Sequence, residues 1–221
     1  MIKDISVVLL GAGKSKRFDT NTLKQNVKIH NKRVIDYSVD FFRKHFNASE
    51  KYFVINKKIQ LKTRTDNEHI LYGSTSRLKS LINCLNYISK NNLQTKYLLV
   101  HDVARPVLNL ADIKKIIREI HKKVDGSTLG YPLTNAVKEV KNNTIYYNIH
   151  KSNLWSTFTP QIFKMEKLYH SVKTCLDEKY DVDDDIEALL LNSLKCSMIM
   201  SSPTNIKITY KSDINYIKKL L

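Results

Sequence analysis

The chain has 221 residues, of which 42% are hydrophobic, and carries a formal net charge of +16 at pH 7. This length suits one α/β domain and is short for two, and the apolar fraction excludes an intrinsically disordered chain. The lysines are scattered over every segment and form no tract, so we attribute the charge to solvated side chains and predict no nucleic-acid partner. A basic surface would still attract a polyanionic substrate.

The cysteines and the N-terminus indicate the compartment. Cys84, Cys175 and Cys196 are too few and too far apart in sequence for a disulfide framework or a metal site. We expect reduced thiols in a cytoplasmic protein. The first apolar run is too short to span a bilayer and leads into a glycine-rich loop, so we predict neither a targeting segment nor a membrane partner.

Short apolar runs alternate with segments of helical periodicity in the first half of the chain. Ile5–Leu10 and Tyr97–Val100 are predicted as buried strands, whereas Val34–His45 and Arg77–Ile88 place apolar residues on one helical face. This alternation predicts an α/β fold, with a mostly parallel sheet flanked by helices on both faces. The other elements predicted in this half are strands at Tyr52–Ile55 and Ile70–Leu71 and a helix near Ala111.

A different pattern follows at Thr134–Thr157. Apolar residues alternate loosely on either side of the turn-like Lys141-Asn142-Asn143, which predicts a protruding β-hairpin arm that leaves the main sheet. The acidic cluster Asp183–Asp185 is interpreted as a helix cap. The elements predicted after the arm are helices at Lys164–Leu176, Asp184–Ser193 and Ser212–Leu221 and a strand at Ser197–Ser201.

The loop after the first strand, from Gly11 to Phe18, combines glycines with cationic side chains. Exposed backbone N–H groups and glycines can close around phosphate oxygens. Arg17 offers a bidentate fork, and Lys24 offers a point charge for a transferred phosphoryl group. Asp102 follows another predicted strand and would lie at the same edge of the sheet. The residues interpreted as merely solvated charges are Lys14, Lys16 and Lys28.

Several motifs then occur in a fixed order, and each of them alone has a plain structural explanation. They are L-L-G-A-G-K-S-K-R-F followed by L-K-Q, G-S-T-S-R-L-K-S-L at Gly73–Leu81, V-H-D-V-A-R-P at Val100–Pro106, N-L-W-S-T-F-T-P-Q-I-F at Asn153–Phe163, Y-D-V-D-D-D-I-E-A-L at Tyr180–Leu189 and S-P-T-N-I-K-I-T at Ser202–Thr209. Together they resemble the 2-C-methyl-D-erythritol 4-phosphate cytidylyltransferase family over nearly the entire chain. The resemblance implies a Rossmann-like domain over residues 1–221 and a homodimer joined by an arm at about 134–158.

The resemblance also implies a reaction. The phosphate of 2-C-methyl-D-erythritol 4-phosphate would attack the α-phosphorus of CTP, giving 4-diphosphocytidyl-2-C-methyl-D-erythritol and pyrophosphate in isoprenoid biosynthesis. It implies Arg17, Lys24 and Lys207 as catalytic residues and Asp102 as the ligand of Mg2+ or another divalent cation. The implied substrate contacts are Gly11, Ala12 and Gly13 for the triphosphate, Gly73 and Ser80 for the cytosine, Arg105 for the acceptor phosphate, and Lys151 for the acceptor bound to the partner subunit.

Some positions depart from the family pattern, mostly on the acceptor side. They are Leu23 in place of a proline, Ser74 in place of a glycine, Asn135-Ala136 in place of Asp-Thr, and Lys151 in place of an arginine. Two alternatives therefore stay open. One is a ribitol 5-phosphate cytidylyltransferase, and the other is a catalytically degenerate homologue that binds nucleotide or nucleic acid.

Overall fold

The computed structural model describes residues 4–15, 17–19, 21–46, 50–91, 93 and 95–221. The strands of this part are β1 (Ile5–Gly11), β2 (Lys28–Ile29), β3 (Lys32–Arg33), β4 (Lys51–Ile55), β5 (Glu68–Tyr72), β6 (Tyr97–Asp102), β7 (Gly126–Pro132), β8 (Val137–Lys141), β9 (Thr144–Ile149), β10 (Trp155–Lys164) and β11 (Cys196–Met200). The helices are α1 (Val34–His45), α2 (Arg77–Lys90), α3 (Leu110–Ile120), α4 (Met165–Asp177), α5 (Asp185–Leu191) and α6 (Asp213–Leu220), and a 3-10 turn covers Lys24–Asn26.

The main sheet contains seven of the described strands in the order β11-β7-β10-β6-β1-β4-β5. Strand β1 pairs in parallel with β4 on one side and with β6 on the other, and the pairs β4 with β5 and β7 with β11 are also parallel. Only β10, among these strands, runs antiparallel to its neighbours β6 and β7. The predicted mostly parallel α/β fold is therefore confirmed.

Alternate residues of β1 face two different helical layers. Ile5, Val7 and Leu9 pack in one buried cluster with apolar residues of α1 and α3. Val8 and Leu10 pack in a second cluster with residues of α2, α4 and α5. Every residue of β1 is buried, including Ser6, as expected for a largely apolar parallel strand that is covered on both faces. The sheet is thus the middle of three layers.

The sequence-based expectation missed two neighbouring strands, β7 and β10. Strand β7 reads G-S-T-L-G-Y-P, with small and turn-forming residues in place of an apolar run. Strand β10 contains Pro160, and its pairing with β7 shifts register between Phe158 and Gln161. Such an irregularity accommodates a proline, because this residue cannot donate to the hydrogen-bond ladder. The helix expected from Lys164 consequently begins at Met165, after β10 has ended.

A separate two-stranded sheet is formed by β8 and β9, which pair antiparallel. Their turn contains Asn142 and Asn143 with φ of 48° and 62°, the left-handed conformation that two-residue hairpin turns require. The segment Trp155–Thr157, which we expected to complete the arm, instead belongs to β10 and pairs with β7. The hairpin therefore covers only the central part of the predicted arm, Val137–Ile149.

No helix in the described part of the chain combines the length and apolarity that a bilayer crossing requires.

Candidate functional site

A cleft opens at the carboxyl ends of strands β1, β5 and β6. The parallel neighbours of β1, which are β4 and β6, lie on opposite sides of it. The sheet is therefore extended from β1 in two opposite directions, and open α/β sheets bind ligands at such a point. The cleft has a volume of about 270 Å³ and is open to solvent. The predicted site residues on its lining include Ala12, Gly13, Arg17, Lys24, Asp102 and Lys207.

The loop after β1 is held by the buried side chain of Gln25. Its amide nitrogen Nε2 donates to the carbonyl oxygens of Gly11, at 2.9 Å, and Gly13, at 3.0 Å. Its oxygen Oε1 accepts from Ser15 Oγ at 3.2 Å. Gln25 lies in the motif L-K-Q, but no role could be assigned to it from the sequence, because the backbone groups that a side chain contacts leave no sequence pattern.

The opposite wall of the cleft is formed by the turn that leads into α2. Ser80 Oγ donates to the Ser76 carbonyl at 2.7 Å and accepts from the Ser74 N–H at 2.9 Å, so it fixes this turn. A Cβ atom on Gly73 would collide with the Cβ of Ala12. Gly73 therefore allows the end of β5 to lie directly against the loop after β1.

Cationic side chains from distant segments meet in the cleft. Lys24 Nζ donates to the Ile208 carbonyl at 2.6 Å. Burial and the neighbouring ammonium of Lys207 lower the pKa of Lys24 to about 8, and Arg17 and Arg105 also contribute positive charge. The side chain of Arg17 is exposed on the cleft wall. This concentration of positive charge suits a polyanion.

A third buried cluster brings the C-terminal segment to the site. Phe18, Ile29 and Val34 pack against Ile208 and Ile217, so residues after β11 lie beside the loop after β1. The Ile208 N–H also donates to the Ala104 carbonyl at 2.9 Å. Lys207 is thereby carried into the cleft from the far end of the chain.

The Asp102 carboxylate lies at the end of β6 and is paired with two cations. Arg77 Nε donates to Oδ1 at 3.1 Å, and Lys207 Nζ donates to Oδ2 at 2.6 Å. Burial opposes the ionisation of Asp102, but the charges of Arg77 and Lys207 outweigh it and hold the pKa well below its usual range. Asp102 is therefore a carboxylate at neutral pH.

Arg77 is a site residue that the sequence did not reveal. It lines the cleft and also forms an ion pair with Asp185, which is fully buried at the start of α5. Of the acidic cluster that we interpreted as a cap, Asp184 is the residue that caps α5, by accepting from the Glu187 N–H at 2.9 Å. Asp185 is instead the buried partner of Arg77, which lines the cleft.

The residues present fit a magnesium ion bound together with a triphosphate. In the part of the chain that the structure describes, no group of three or more His, Cys, Asp or Glu side chains could hold a metal by itself. Mg2+ is commonly held by one or two carboxylates together with substrate phosphates and water. Asp102 supplies such a carboxylate on the lining of the cleft.

Neither Arg105 nor Lys151 is on the lining of the cleft within this chain, although the charge of Arg105 acts on Lys24 and Asp102. Arg105 Nη1 donates to the Asn205 carbonyl at 2.8 Å, and its guanidinium lies 5.7 Å from the ring centre of Phe158. Lys151 Nζ donates to the Thr134 carbonyl, at the base of the hairpin. The structure therefore does not bring these two residues together, and their acceptor-binding roles stay predictions.

His101, next to Asp102, is fully buried and hydrogen-bonded to other protein groups. Its Nε2 lies 3.1 Å from the Arg105 carbonyl, which can only accept, so Nε2 carries the proton and Nδ1 accepts from Thr159 Oγ1 at 3.2 Å. Burial lowers the pKa of His101 to about 3, which leaves the imidazole neutral. With both ring nitrogens hydrogen-bonded to protein groups and no exposure to solvent, His101 is unsuited to act as a base toward a substrate.

The positions that depart from the family pattern have ordinary surroundings. Leu23 has φ of −72°, within the range that proline enforces, and its side chain packs against the core. Ser74 lines the cleft, and its φ is not positive. Lys14 also lines the cleft and is exposed, Lys28 is exposed, and Lys16 lies outside the described residues.

Comparisons with known proteins agree with this geometry. The model of the 2-C-methyl-D-erythritol 4-phosphate cytidylyltransferase family matches residues 5–221. A protein of that name from Wigglesworthia glossinidia brevipalpis is 31% identical over 220 residues, covering 96% of this chain and 93% of its own. A protein of the same name from Acinetobacter baylyi is 27% identical over 220 residues, covering 97% of this chain and 92% of its own.

Comparison with solved structures shows the same fold. The crystal structure of 2-C-methyl-D-erythritol 4-phosphate cytidylyltransferase from Francisella tularensis superposes with a TM-score of 0.86 at 24% identity, covering 99% of this chain and 100% of that chain. Since the family model extends over almost the whole sequence, the loop after β1, the strand end at Asp102 and the segment carrying Lys207 all lie within the match. The chain belongs to the 2-C-methyl-D-erythritol 4-phosphate cytidylyltransferase family.

Proposed function

We propose that this chain is a CTP-dependent cytidylyltransferase of non-mevalonate isoprenoid biosynthesis. It converts CTP and 2-C-methyl-D-erythritol 4-phosphate into 4-diphosphocytidyl-2-C-methyl-D-erythritol and pyrophosphate. One observation carries the proposal: in a chain matched by that family over residues 5–221, Lys24 and Lys207 line one cleft together with the buried carboxylate of Asp102, which Lys207 contacts. The ribitol phosphate enzyme and the degenerate homologue are not favoured by this match.

The transfer itself needs no covalent intermediate on the protein. An oxygen of the acceptor phosphate forms a bond to the α-phosphorus of CTP, and the bond from that phosphorus to the β-phosphate oxygen breaks, so pyrophosphate leaves with the electron pair. The attacking oxygen is already an anion near neutral pH and requires no general base. His101 is neutral and fully buried, which agrees with a transfer that requires no general base.

The cations of the cleft would stabilise the charge that develops during transfer. Lys24 and Arg17 border the loop after β1, where backbone N–H groups can also bind phosphate oxygens. Lys207, which is held by the Asp102 carboxylate in the free chain, would turn its ammonium to the α-phosphate once the nucleotide enters. Fixed cations in a partly buried cleft act by positioning and charge, which dominate phosphoryl-transfer catalysis.

The turn before α2 would receive the cytosine. Gly73 permits the close approach of β5 to Ala12, and Ser80 fixes the backbone of the turn. A base held there would lie across the cleft from the cations that bind its triphosphate. Asp102 would hold a Mg2+ ion, which on binding would neutralise phosphate charge and favour departure of pyrophosphate.

The acceptor side of the site would be completed by a second copy of the chain. The hairpin of β8 and β9 exposes Val140, Ile145, Tyr146 and Tyr147, each more than half accessible to solvent. Burying these side chains against a partner arm would favour a homodimer. Arg105 would then face the acceptor phosphate and Lys151 would reach the acceptor of the partner subunit.

A single domain over residues 1–221, with the arm as its dimerisation element, completes the proposal. We also propose a cytoplasmic location, because Cys84, Cys175 and Cys196 are free thiols, which a reducing compartment maintains. Equilibrium sedimentation tests the assembly. Wild-type protein should sediment as a dimer and an Ile145→Asp variant as a monomer, and a wild-type monomer would contradict the role of the arm.

Pyrophosphate release from CTP with Mg2+ tests the reaction. We expect turnover with 2-C-methyl-D-erythritol 4-phosphate, little or none with ribitol 5-phosphate, and loss of turnover in Asp102→Asn. Preference for ribitol 5-phosphate would reassign the acceptor. Absence of pyrophosphate release with both acceptors, combined with duplex DNA binding that weakens steeply with salt, would support the degenerate homologue instead.

A further inference from the structure

The side chain of Gln25 connects the loop after β1 to the turn that carries Lys24. Gln25 is 2% exposed in the 3-10 turn Lys24–Asn26. Its Nε2 donates to two carbonyl oxygens of the loop, those of Gly11 and Gly13. Both amide hydrogens are thus directed at alternate peptide groups of a single short segment.

These two hydrogen bonds fix the direction in which the loop presents its N–H groups. In a planar trans peptide the N–H points opposite to the C=O. When the carbonyls of Gly11 and Gly13 point to Gln25, the N–H groups of the following residues, Ala12 and Lys14, point away from it. The same bonds offset two partial negative charges that would otherwise repel phosphate oxygens.

Ser15 extends the connection to the catalytic lysine. Its hydroxyl donates to Gln25 Oε1 at 3.2 Å and accepts from the Lys24 N–H, also at 3.2 Å. Ser15 has φ of 59°, a left-handed conformation that is unfavourable for a residue with a side chain. The loop and the Lys24 turn are therefore held in one arrangement by the same two side chains.

We infer that Gln25 is a positioning residue for CTP, which sets the loop N–H groups and the Lys24 backbone in the geometry that receives the triphosphate. Gln25 acts through the loop and does not itself contact the reacting atoms. This inference rests on the proposed function and deepens it. It assigns the affinity for the nucleotide in part to a buried amide that carries no charge.

A pair of glutamine substitutions tests the inference. Gln25→Met keeps the size of the side chain and removes its hydrogen bonds. Gln161→Met is the matched control, because Gln161 is also fully buried and donates to Thr128 Oγ1 and Asp184 Oδ2, yet it lies outside the cleft lining. Both variants lose buried hydrogen bonds and should unfold at lower temperature than the wild type.

Only Gln25→Met should weaken nucleotide binding. We expect its KM for CTP to rise by about tenfold or more, with kcat and the acceptor KM changed by less than about threefold. The calorimetric Kd for CTP should rise by the same factor, whereas Gln161→Met should bind CTP as the wild type does. Equal KM and Kd values in the two variants would overturn the inference.

A milder variant keeps the test decisive if Gln25→Met does not fold. Ser15→Ala removes the hydroxyl that joins Gln25 to Lys24 and leaves the two carbonyl contacts in place. Its Kd for CTP should rise by about twofold to fivefold, and an unchanged Kd would contradict the connection. Failure of the proposed function would look different, since wild-type protein would then release no pyrophosphate, whereas the calorimetric comparison of CTP binding could still be made.

Discussion

Arg77 forms a two-point ion pair with Asp185, a residue 108 positions later in the chain, with Nη1 to Oδ1 at 2.5 Å and Nη2 to Oδ2 at 2.8 Å. Its remaining Nε–H group bonds to Asp102. The start of α2 is therefore tied at once to the start of α5 and to the end of β6. This arrangement keeps the guanidinium fixed beside the Asp102 carboxylate, the proposed metal ligand.

Replacement of Asp185 tests this connection. Asp185→Asn removes the charge of one of the two carboxylates that Arg77 contacts, and breaking a buried ion pair in this way costs about 3–5 kcal/mol. We expect a loss of this size in the free energy of unfolding measured in urea, together with a lower kcat/KM. Asp183→Asn removes the same charge from an exposed residue nearby and should change stability by less than about 0.5 kcal/mol. Similar values for the two variants would contradict the structural role of Asp185.

Lys24 predicts a pH dependence of nucleotide binding. Burial and the charge of Lys207 lower its pKa to about 8, so the free enzyme loses this positive charge as pH rises through 8. The triphosphate favours the protonated form, and the KM for CTP should therefore be constant below pH 8 and rise by up to about tenfold per unit above it. Initial rates between pH 7 and 9.5 give the profile.

The variant Lys24→Arg is the control for this profile. A guanidinium stays charged through the whole range, so its KM for CTP should stay level above pH 8, even if its value at pH 7 is higher. Parallel profiles for wild type and Lys24→Arg would show that another group titrates.

Gly73 and Gly13 should respond differently to alanine. A Cβ at Gly73 would collide with the Cβ of Ala12, whereas a Cβ at Gly13 would meet only Gln25 Nε2, at 3.9 Å. We expect Gly73→Ala to lower the free energy of unfolding by about 1–3 kcal/mol and to raise the KM for CTP, because overpacking displaces the two walls of the cleft. Gly13→Ala should change stability by less than about 1 kcal/mol. Equal losses would contradict the close approach at Gly73.

Lys151 tests the acceptor side. Lysine stands where the family pattern has an arginine, and a bidentate guanidinium contact to phosphate would be worth about 1–2 kcal/mol more than a single ammonium. Lys151→Arg should therefore lower the acceptor KM by about fivefold to thirtyfold, and Lys151→Ala should raise it, with the KM for CTP constant in both. An acceptor KM that is insensitive to both substitutions would show that Lys151 does not reach the acceptor.

Much of this fold follows from hydrophobic pattern alone. Helix α1 has the predicted bounds Val34–His45, and β1, β4 and β6 are apolar runs that are buried on both faces. Strands β7 and β10 escaped prediction because their buried positions include glycine, serine, threonine and glutamine, which no apolar periodicity reveals. Their identity as strands depends on neighbours that are distant in sequence.

The site residues likewise divide into those that the sequence predicts and those that it does not. Motif resemblance selected Lys24, Asp102 and Lys207, and the structure brings them into one cleft, although their chemical roles stay predictions. The ion pair of Arg77 with Asp185 could not be predicted, because it joins two segments that no sequence motif connects. Acidic residues before a helix also have a simpler explanation as caps. The contacts of Gln25 could not be predicted either, because its amide nitrogen donates to backbone carbonyl oxygens.

The most direct measurement is a phosphorus NMR time course of CTP and 2-C-methyl-D-erythritol 4-phosphate with Mg2+ and the wild-type chain, beside Lys24→Met and Lys207→Met. We predict that the wild type consumes CTP and forms a diphosphate diester together with an equal amount of pyrophosphate, and that each variant, folded by circular dichroism, forms the same products at a rate lower by about a hundredfold or more. No diphosphate diester from the wild type, or wild-type rates from both variants, would contradict cytidylyl transfer in this cleft.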